Sequence, residues 1–389
     1  MNRTFSTVLL LCSQVFVARA QDGEDAPVPP WRDTFAQKYE HPRDYGHDVA
    51  LGVMVGIIAG EGVLLGAGPI VYEFGYRTYP YIYRMELTAG ASIPTARYKV
   101  VYTLAMPSLA RRVGLKGVAQ FSELEVKNFY GFGNTTPRDE ALEDKDFYRV
   151  SSRELHLLPM VGYRIAPQST ISVGLSFKSF EFFPEEDRFT ANQSLPEVSD
   201  SRTILGFGIG YQLDTRDHPL IPHKGITLDF RAGAFPYLFR DLSPFHKVSG
   251  DLRLFIGDTI GTDVMLAVRL RGEKIFGDFP LYESAFLGGG NSLRGFLPER
   301  FAGDASAVGS AELRFSLFRE TILIPTEVGL FLLADAGRVW YNDSSPGPWH
   351  TDLGGGIWLA PLNRDMILSV AVAVSVDGLF VNGGIGFGF

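Results

Sequence analysis

The feature that most constrains this chain is a two-residue alternation of apolar and polar side chains, recurring from about residue 47 to the end. In 81–89, Tyr83, Met85, Leu87 and Ala89 alternate with Arg84, Glu86 and Thr88; in 226–232, Ile226, Leu228, Phe230 and Ala232 alternate with Thr227, Asp229 and Arg231. In 264–271, Val264, Leu266, Val268 and Leu270 oppose Arg269 and Arg271, and in 366–376 four valines and Leu368 oppose serines and alanines. A period of two means extended strands with one aliphatic face and one face that is often ionised. Such a sheet either buries its aliphatic face in a soluble core or turns it to lipid.

Three observations favour lipid. The pattern covers nearly the whole chain with no helical segments between, so no second layer is at hand to cover the aliphatic face. Residues 1–20 read as an export signal, with Arg3, an apolar core from Val8 to Val17, and Ala18-Arg19-Ala20 as a small-x-small cleavage site. The chain also ends in a row of aromatic residues, Phe387 and Phe389, with Ile385 at the same parity. No apolar run after residue 20 approaches the ~20 residues a membrane helix needs. Spanning a membrane therefore requires a closed barrel.

Counting strands backward from Phe389 gives sixteen, the first two at 47–60 and 62–76 and the last two at 366–376 and 379–389. The expected fold is all-β, a single 16-stranded antiparallel transmembrane β-barrel over 47–389. An even strand number puts both termini on the periplasmic side of a bacterial outer membrane. The partners expected of such a surface are outer-membrane lipid and lipopolysaccharide. The long segments 131–152, 184–201 and 274–306 then face outside.

Composition excludes several function classes. The one cysteine, Cys12, lies inside the export signal behind Leu11, so the mature chain has no disulfide, zinc–thiolate site or thiol nucleophile. A net charge of −8, more negative still once Arg3 and Arg19 are removed, argues against nucleic acid. There is no Gly-x-Ser-x-Gly, His-Glu-x-x-His or Gly-x-x-x-x-Gly-Lys run. His218 and His223 flank a proline-rich turn without the carboxylate spacing of a metal site, and His156 beside Glu154 reads as a satisfied inward histidine. The expectation is no enzyme, no cofactor and no metal.

Residues 21–46 differ from the rest, being acidic and proline-rich. Trp31, Phe35 and Tyr39 recur at helical spacing between Pro30 and Pro42, which predicts a short helix over 31–40. It reads as a plug or membrane-surface anchor, or as a loosely ordered leader.

One aperiodic stretch stands out: Gly288-Gly289-Gly290-Asn291-Ser292-Leu293-Arg294-Gly295-Phe296. Three glycines relax the backbone before one fixed positive charge. A guanidinium sent into a confined space needs an anion. Strand parity supplies two: Val328, Leu330, Leu332 and Ala334 facing out turn Asp335 inward, and Ala311, Leu313, Phe315 and Leu317 facing out turn Glu312 and Arg314 inward. Gly206, Gly208 and Gly210 share an inward parity and either make room for a returning loop or simply fit a crowded lumen.

Leu287–Phe296 resembles the tip of the inward-folded sixth extracellular loop in BamA/TamA-type barrels, the bacterial surface antigen family that includes the two-partner secretion transporters. Asp214, Arg216 and Asp217 followed by Pro222 and Gly225 resemble that family's hairpin motif. Gly309–Arg314 resembles the strand after the loop, and Leu333-Ala-Asp335-Ala-Gly337 resembles its Phe-x-Asp-x-Gly strand with leucine for phenylalanine. Asn382, Gly384, Phe387 and Phe389 match the C-terminal assembly signal of outer-membrane barrels. The resemblance implies a sixth loop locked in the lumen, with Arg294, Gly295 and Phe296 meeting Asp335, Gly337 and Glu312. It also implies a weak seam between first and last strands, here carrying Gly383, Gly384, Gly386 and Gly388. The implied function is insertion or translocation of proteins at the outer membrane, acting on an unfolded client. Residues 21–46 are too few for one polypeptide-transport-associated (POTRA) domain, so the chain resembles a barrel-only branch whose client would arrive through a periplasmic or lipoprotein partner. The alternative is a non-enzymatic outer-membrane pore or envelope scaffold with no client.

Overall fold

The computed structural model describes residues 15–18, 45–58, 61–76, 78–183, 188–189, 202–236, 244–260, 262–321, 325–361 and 367–389. The strands in chain order are β1 (Val15–Ala18), β2 (Gly46–Ile58), β3 (Gly62–Gly75), β4 (Thr78–Pro94), β5 (Tyr98–Ala110), β6 (Val113–Asn128), β7 (Arg149–Ala166), β8 (Ser169–Phe182), β9 (Arg202–Asp214) and β10 (Lys224–Phe235). They continue with β11 (Phe245–Ile260), β12 (Thr262–Gly277), β13 (Ala285–Leu287), β14 (Phe301–Gly303), β15 (Ala305–Thr321), β16 (Pro325–Trp340), β17 (His350–Ala360), β18 (Leu368–Ser375) and β19 (Gly378–Ile385). β13 and β14 form a separate two-stranded ribbon, and the other seventeen make one antiparallel sheet. One helical turn, α1 (Glu140–Glu143), starts on Asp139, whose carboxylate accepts from the Ala141 and Leu142 amides. The expected helix over 31–40 lies outside the described residues.

Each strand of the large sheet pairs with its sequence neighbours, from β1–β2 to β11–β12, then β12–β15 and on to β18–β19. Among the described residues no ladder joins β19 to β1 or β2. The expectation of a closed barrel is therefore corrected: among the described residues no ladder joins the two ends of the sheet. The sixteen expected strands are β2–β12 and β15–β19, and β1 is a seventeenth, from residues placed by sequence in the export signal. At one end β1 pairs with β2 at Leu51–Met54. At the other end β19 stops at Ile385, because Gly386 takes φ +96° and turns the chain off the strand.

The two faces of the sheet differ as the alternation requires. Leu332 is 59% exposed and Leu330 42%, whereas Phe331, Leu333 and Asp335 between and beside them are buried. The same holds for exposed Leu270 and Ile256 against buried Arg269 and Phe255. Among the described residues no layer covers this aliphatic outer face. No described helix is long and apolar enough to cross a membrane.

The inner face is covered by the 278–304 segment. One apolar cluster joins Phe129, Phe180, Phe182, Ile204, Phe245 and Ile275 to Leu281 and Tyr282 of that segment. A second, at the short-turn end, joins Ile221, Phe331, Leu333, Trp358 and Ile367, with Phe387 packed on it.

Candidate functional site

The 278–304 segment leaves β12, makes a 3-10 turn at Leu281–Glu283, runs up β13, turns over a tip at 288–300 and returns along β14. Its tip is shaped by the glycines. Gly288 and Gly289 have φ +121° and +83°, and a Cβ on Gly288 would lie 2.1 Å from the Leu297 carbonyl. The Ser292 hydroxyl closes the turn, accepting from the Gly288 amide at 2.8 Å and donating to its carbonyl at 3.0 Å. Leu293 and Phe296 are fully buried with Leu287, Phe301, Val308 and Val339. Burying two such side chains stabilises the tip by about 2 kcal/mol each.

This packing delivers Arg294 to the inner wall. Its Nε and Nη2 donate to the two Asp335 oxygens, each at 2.8 Å, and its backbone amide donates to Oδ2 at 3.2 Å. Nη1 donates to Glu312 Oε1. The second Glu312 oxygen accepts from Arg314 Nε at 2.7 Å, and Arg314 Nη2 donates to the Phe389 carbonyl at 2.8 Å. Burial alone would make the Arg294 guanidinium easier to deprotonate, but the bonds to Asp335 and the charge of Glu312 outweigh it, so the proton is held more tightly than usual. Asp352 of β17 lies directly across the ladder from Asp335.

The small residues of the motif allow close approach. A Cβ on Gly295 would lie 2.5 Å from Asp352 Cβ, and one on Gly337 would lie 3.1 Å from Leu287 and Leu293. Asn382 of β19 donates to the Arg294 carbonyl at 2.8 Å, and the Ser375 hydroxyl of β18 donates to the Gly295 carbonyl. Arg294, Gly295, Asp335, Gly337 and Glu312 therefore meet in space, while Phe296 packs against Phe301 and His350.

The hairpin residues form a different structure, at the short-turn end. Asp214 accepts from Arg216 Nε and Nη2 at 3.0 and 2.7 Å, and Asp217 accepts from the His223 and Lys224 amides. Gly225 has φ +125°, and a Cβ there would lie 2.6 Å from the Thr215 carbonyl. His218 is buried and its Nδ1 accepts from the Leu220 and Ile221 amides, which caps the turn. This turn, with Pro222 behind it, drives Ile221 into the cluster with Phe331 and Trp358.

The C-terminal residues are placed differently from expectation. Gly383 and Gly384 pair with Val370 and Ser369 of β18, but Gly386, Phe387, Gly388 and Phe389 lie beyond the strand. Phe387 packs edge-on to Phe331 and Trp358, with Arg314 stacked 3.6 Å over its ring. Phe389 packs on inner-face Phe255, Met265 and Ala267, 5.7 Å from the Arg294 guanidinium. A Cβ on Gly388 would lie 2.9 Å from Arg294 Nη1, so this glycine makes room for the tip. Gly206 makes room for the Phe235 ring and not for the loop.

Three sets of contacts were not expected from sequence. Asp352, Ser375 and Asn382 touch the tip. Arg300, on the outgoing limb, donates to Asp377 at 2.8 Å and to Thr136, between the rings of Tyr130 and Phe301. Glu283, on the incoming limb, is buried among lysines.

Comparison with known proteins gives a consistent result. A model of the Omp85 superfamily domain matches residues 80–377. The fold is similar to that of BamA from Haemophilus ducreyi lacking POTRA domains 1–3, with TM-score 0.61 and 14% identity over 88% of this chain and 70% of that one. It is also similar to CdiB from Escherichia coli, with TM-score 0.56 and 13% identity over 95% of this chain and 66% of that one. CdiB from Acinetobacter baumannii gives TM-score 0.50 and 13% identity over 85% and 56%. No curated protein matches the sequence.

Proposed function

The chain belongs to the Omp85 superfamily, and on that premise we propose that it inserts or translocates proteins at the bacterial outer membrane, without catalysing a chemical reaction. The observation that carries this reading is the 278–304 loop seated on the inner face with Arg294 between Asp335 and Glu312. In this reading the loop is a lock that fills the inner space and orders the tip against β15–β19. Once the export signal, and with it β1, is removed, the edges of β2 and β19 are where a client strand would be admitted, and the glycines Gly383 and Gly384 of β19 weaken that end. The exposed aliphatic face contacts outer-membrane lipid and lipopolysaccharide, and the client is handed over by a periplasmic or lipoprotein partner.

The test is reconstitution of the chain in liposomes with an unfolded outer-membrane protein. Faster client folding than in empty liposomes, with crosslinks from the client to 46–58 or 378–385, is expected. No acceleration and no crosslinks would overturn the reading. A second reading, an envelope scaffold without a client, draws support from the interlocked long-loop end. There Asn134 donates to the Pro346 and Pro348 carbonyls and Arg300 ties Thr136 to Asp377. Under that reading a charge-neutral substitution at Arg300 loosens the loops and leaves client folding unchanged.

A further inference from the structure

The incoming limb of the loop carries an anchor of opposite sign to the tip. Glu283 sits in the 3-10 turn, 3% exposed. Lys178 of β8 donates to its Oε1 at 2.5 Å, and Lys247 of β11 reaches its Oε2 at 3.4 Å and its carbonyl at 3.1 Å. Lys127 of β6 donates to the neighbouring Tyr282 carbonyl at 3.1 Å, with its ammonium 4.7 Å over the Phe286 ring. Glu273 of β12 shares Lys247 at 3.1 Å. The Tyr282 ring stacks on Phe180 at 3.6 Å inside the largest apolar cluster.

Three strands thus each send one lysine to a single turn of the loop. Three lysines on an inner wall repel one another unless anions lie among them; Glu283 is the anion that the limb itself supplies, beside Glu273 of β12. We propose that Glu283 is a second positioning residue of the loop, clamped by Lys178, Lys247 and Lys127, so that the limb stays docked when the Arg294 tip is released. The inference rests on the reading of Arg294 as a lock, and adds that the lock has two independent fastenings. Release of the tip then exposes 288–296 without expelling 281–287, which limits how far the loop moves.

The experiment uses the full chain carrying C12S in liposomes, with single reporter cysteines, which is possible because Cys12 is the one cysteine of the sequence. The reporters are S292C at the tip and S284C on the limb, probed by labelling rate with a membrane-impermeant maleimide. R294A is expected to speed labelling of the S292C reporter about tenfold and to leave the S284C reporter within about twofold; E283Q is expected to do the reverse. K178M is expected to speed S284C labelling in the parent and to have no further effect on the E283Q background, as paired groups require. Both reporters opening together in R294A and in E283Q, or K178M and E283Q acting additively, would overturn the proposal. Client folding is scored separately, so failure of the functional reading and failure of this inference give different results.

Discussion

Arg294→Ala is the perturbation whose consequence can be worked out most fully. The substitution removes two 2.8 Å bonds to Asp335, the bond to Glu312 and the cation 5.7 Å from the Phe389 ring. Glu312 keeps Arg314 at 2.7 Å. Asp335 keeps the backbone amide of residue 294 at 3.2 Å and its cross-strand neighbour Asp352, neither of which is a cation. The loss therefore falls mainly on Asp335, a carboxylate with no exposed side-chain surface. Removing one partner of a buried pair costs about 3–5 kcal/mol, and the surviving Arg314 and backbone contacts place this case near about 3 kcal/mol. Urea unfolding in micelles, followed by the fluorescence of Trp358 and its neighbours, reads the loss as a lower midpoint at unchanged slope. The double variant R294A/D335A removes the orphaned carboxylate as well. It is expected to be more stable than the sum of its single variants by about 1–3 kcal/mol. An R294A midpoint within about 0.5 kcal/mol of the parent, or a double variant that equals the sum of the singles, would refute the claim that the tip is held by charge pairing.

Other expectations follow from the same contacts. Gly295→Ala sets a methyl group 2.5 Å from Asp352 Cβ and should cost about 1–3 kcal/mol in the same urea assay. Gly225→Ala combines φ +125° with a 2.6 Å contact to the Thr215 carbonyl, so it should lower refolding yield and stability by at least about 1 kcal/mol. Burial would raise the Glu283 carboxyl, but Lys178 and Lys247 outweigh it and hold it at about 2 against an ordinary 4.5. A depressed carboxyl adds stability that is fully present above about pH 4.5 and lost as pH falls toward 2, amounting to about 3 kcal/mol. Urea midpoints measured down that range should flatten in E283Q. Phe389→Ala should destabilise the purified, refolded chain by about 3 kcal/mol through lost packing on Phe255, Met265 and Ala267; a refolded variant as stable as the parent would mean that the residue acts only during assembly.

The strands and the tip were legible because both depend on parity. Once Leu330 and Leu332 face out, Asp335 must face in, and the same rule turns Glu312 inward, so two acids on neighbouring strands mark where Arg294 goes. Asp352 obeys that rule through Leu353 and Ile357, but Gly354–Gly356 interrupts the pattern and hides it. The end of β19 was not legible for a related reason. Ile385, Phe387 and Phe389 keep a two-residue spacing past the point where Gly386 ends the ladder, and spacing does not report whether hydrogen bonds continue. The partner of β2 at Leu51–Met54 comes from a segment whose composition signals export. Glu283 lies in an aperiodic stretch, and its lysines are 36 and 105 residues away, so nothing local points to it.

The signs of the two fastenings explain why the loop takes one seat and not another. The tip brings a cation to a wall with Asp335 and Glu312, and the limb brings an anion to a wall with Lys127, Lys178 and Lys247. A loop shifted along the inner face would place Arg294 toward lysines or Glu283 toward carboxylates. Either error leaves two like charges together in a buried setting and strands the groups left behind. The apolar contacts of Leu293, Phe296 and Tyr282 supply much of the burial, but apolar packing tolerates small slips in register. Charges of opposite sign at the two ends do not. The pairings are therefore better understood as fixing the position of a loop that burial already favours, and the cost of breaking one should appear as movement of that part of the loop before it appears as unfolding of the sheet.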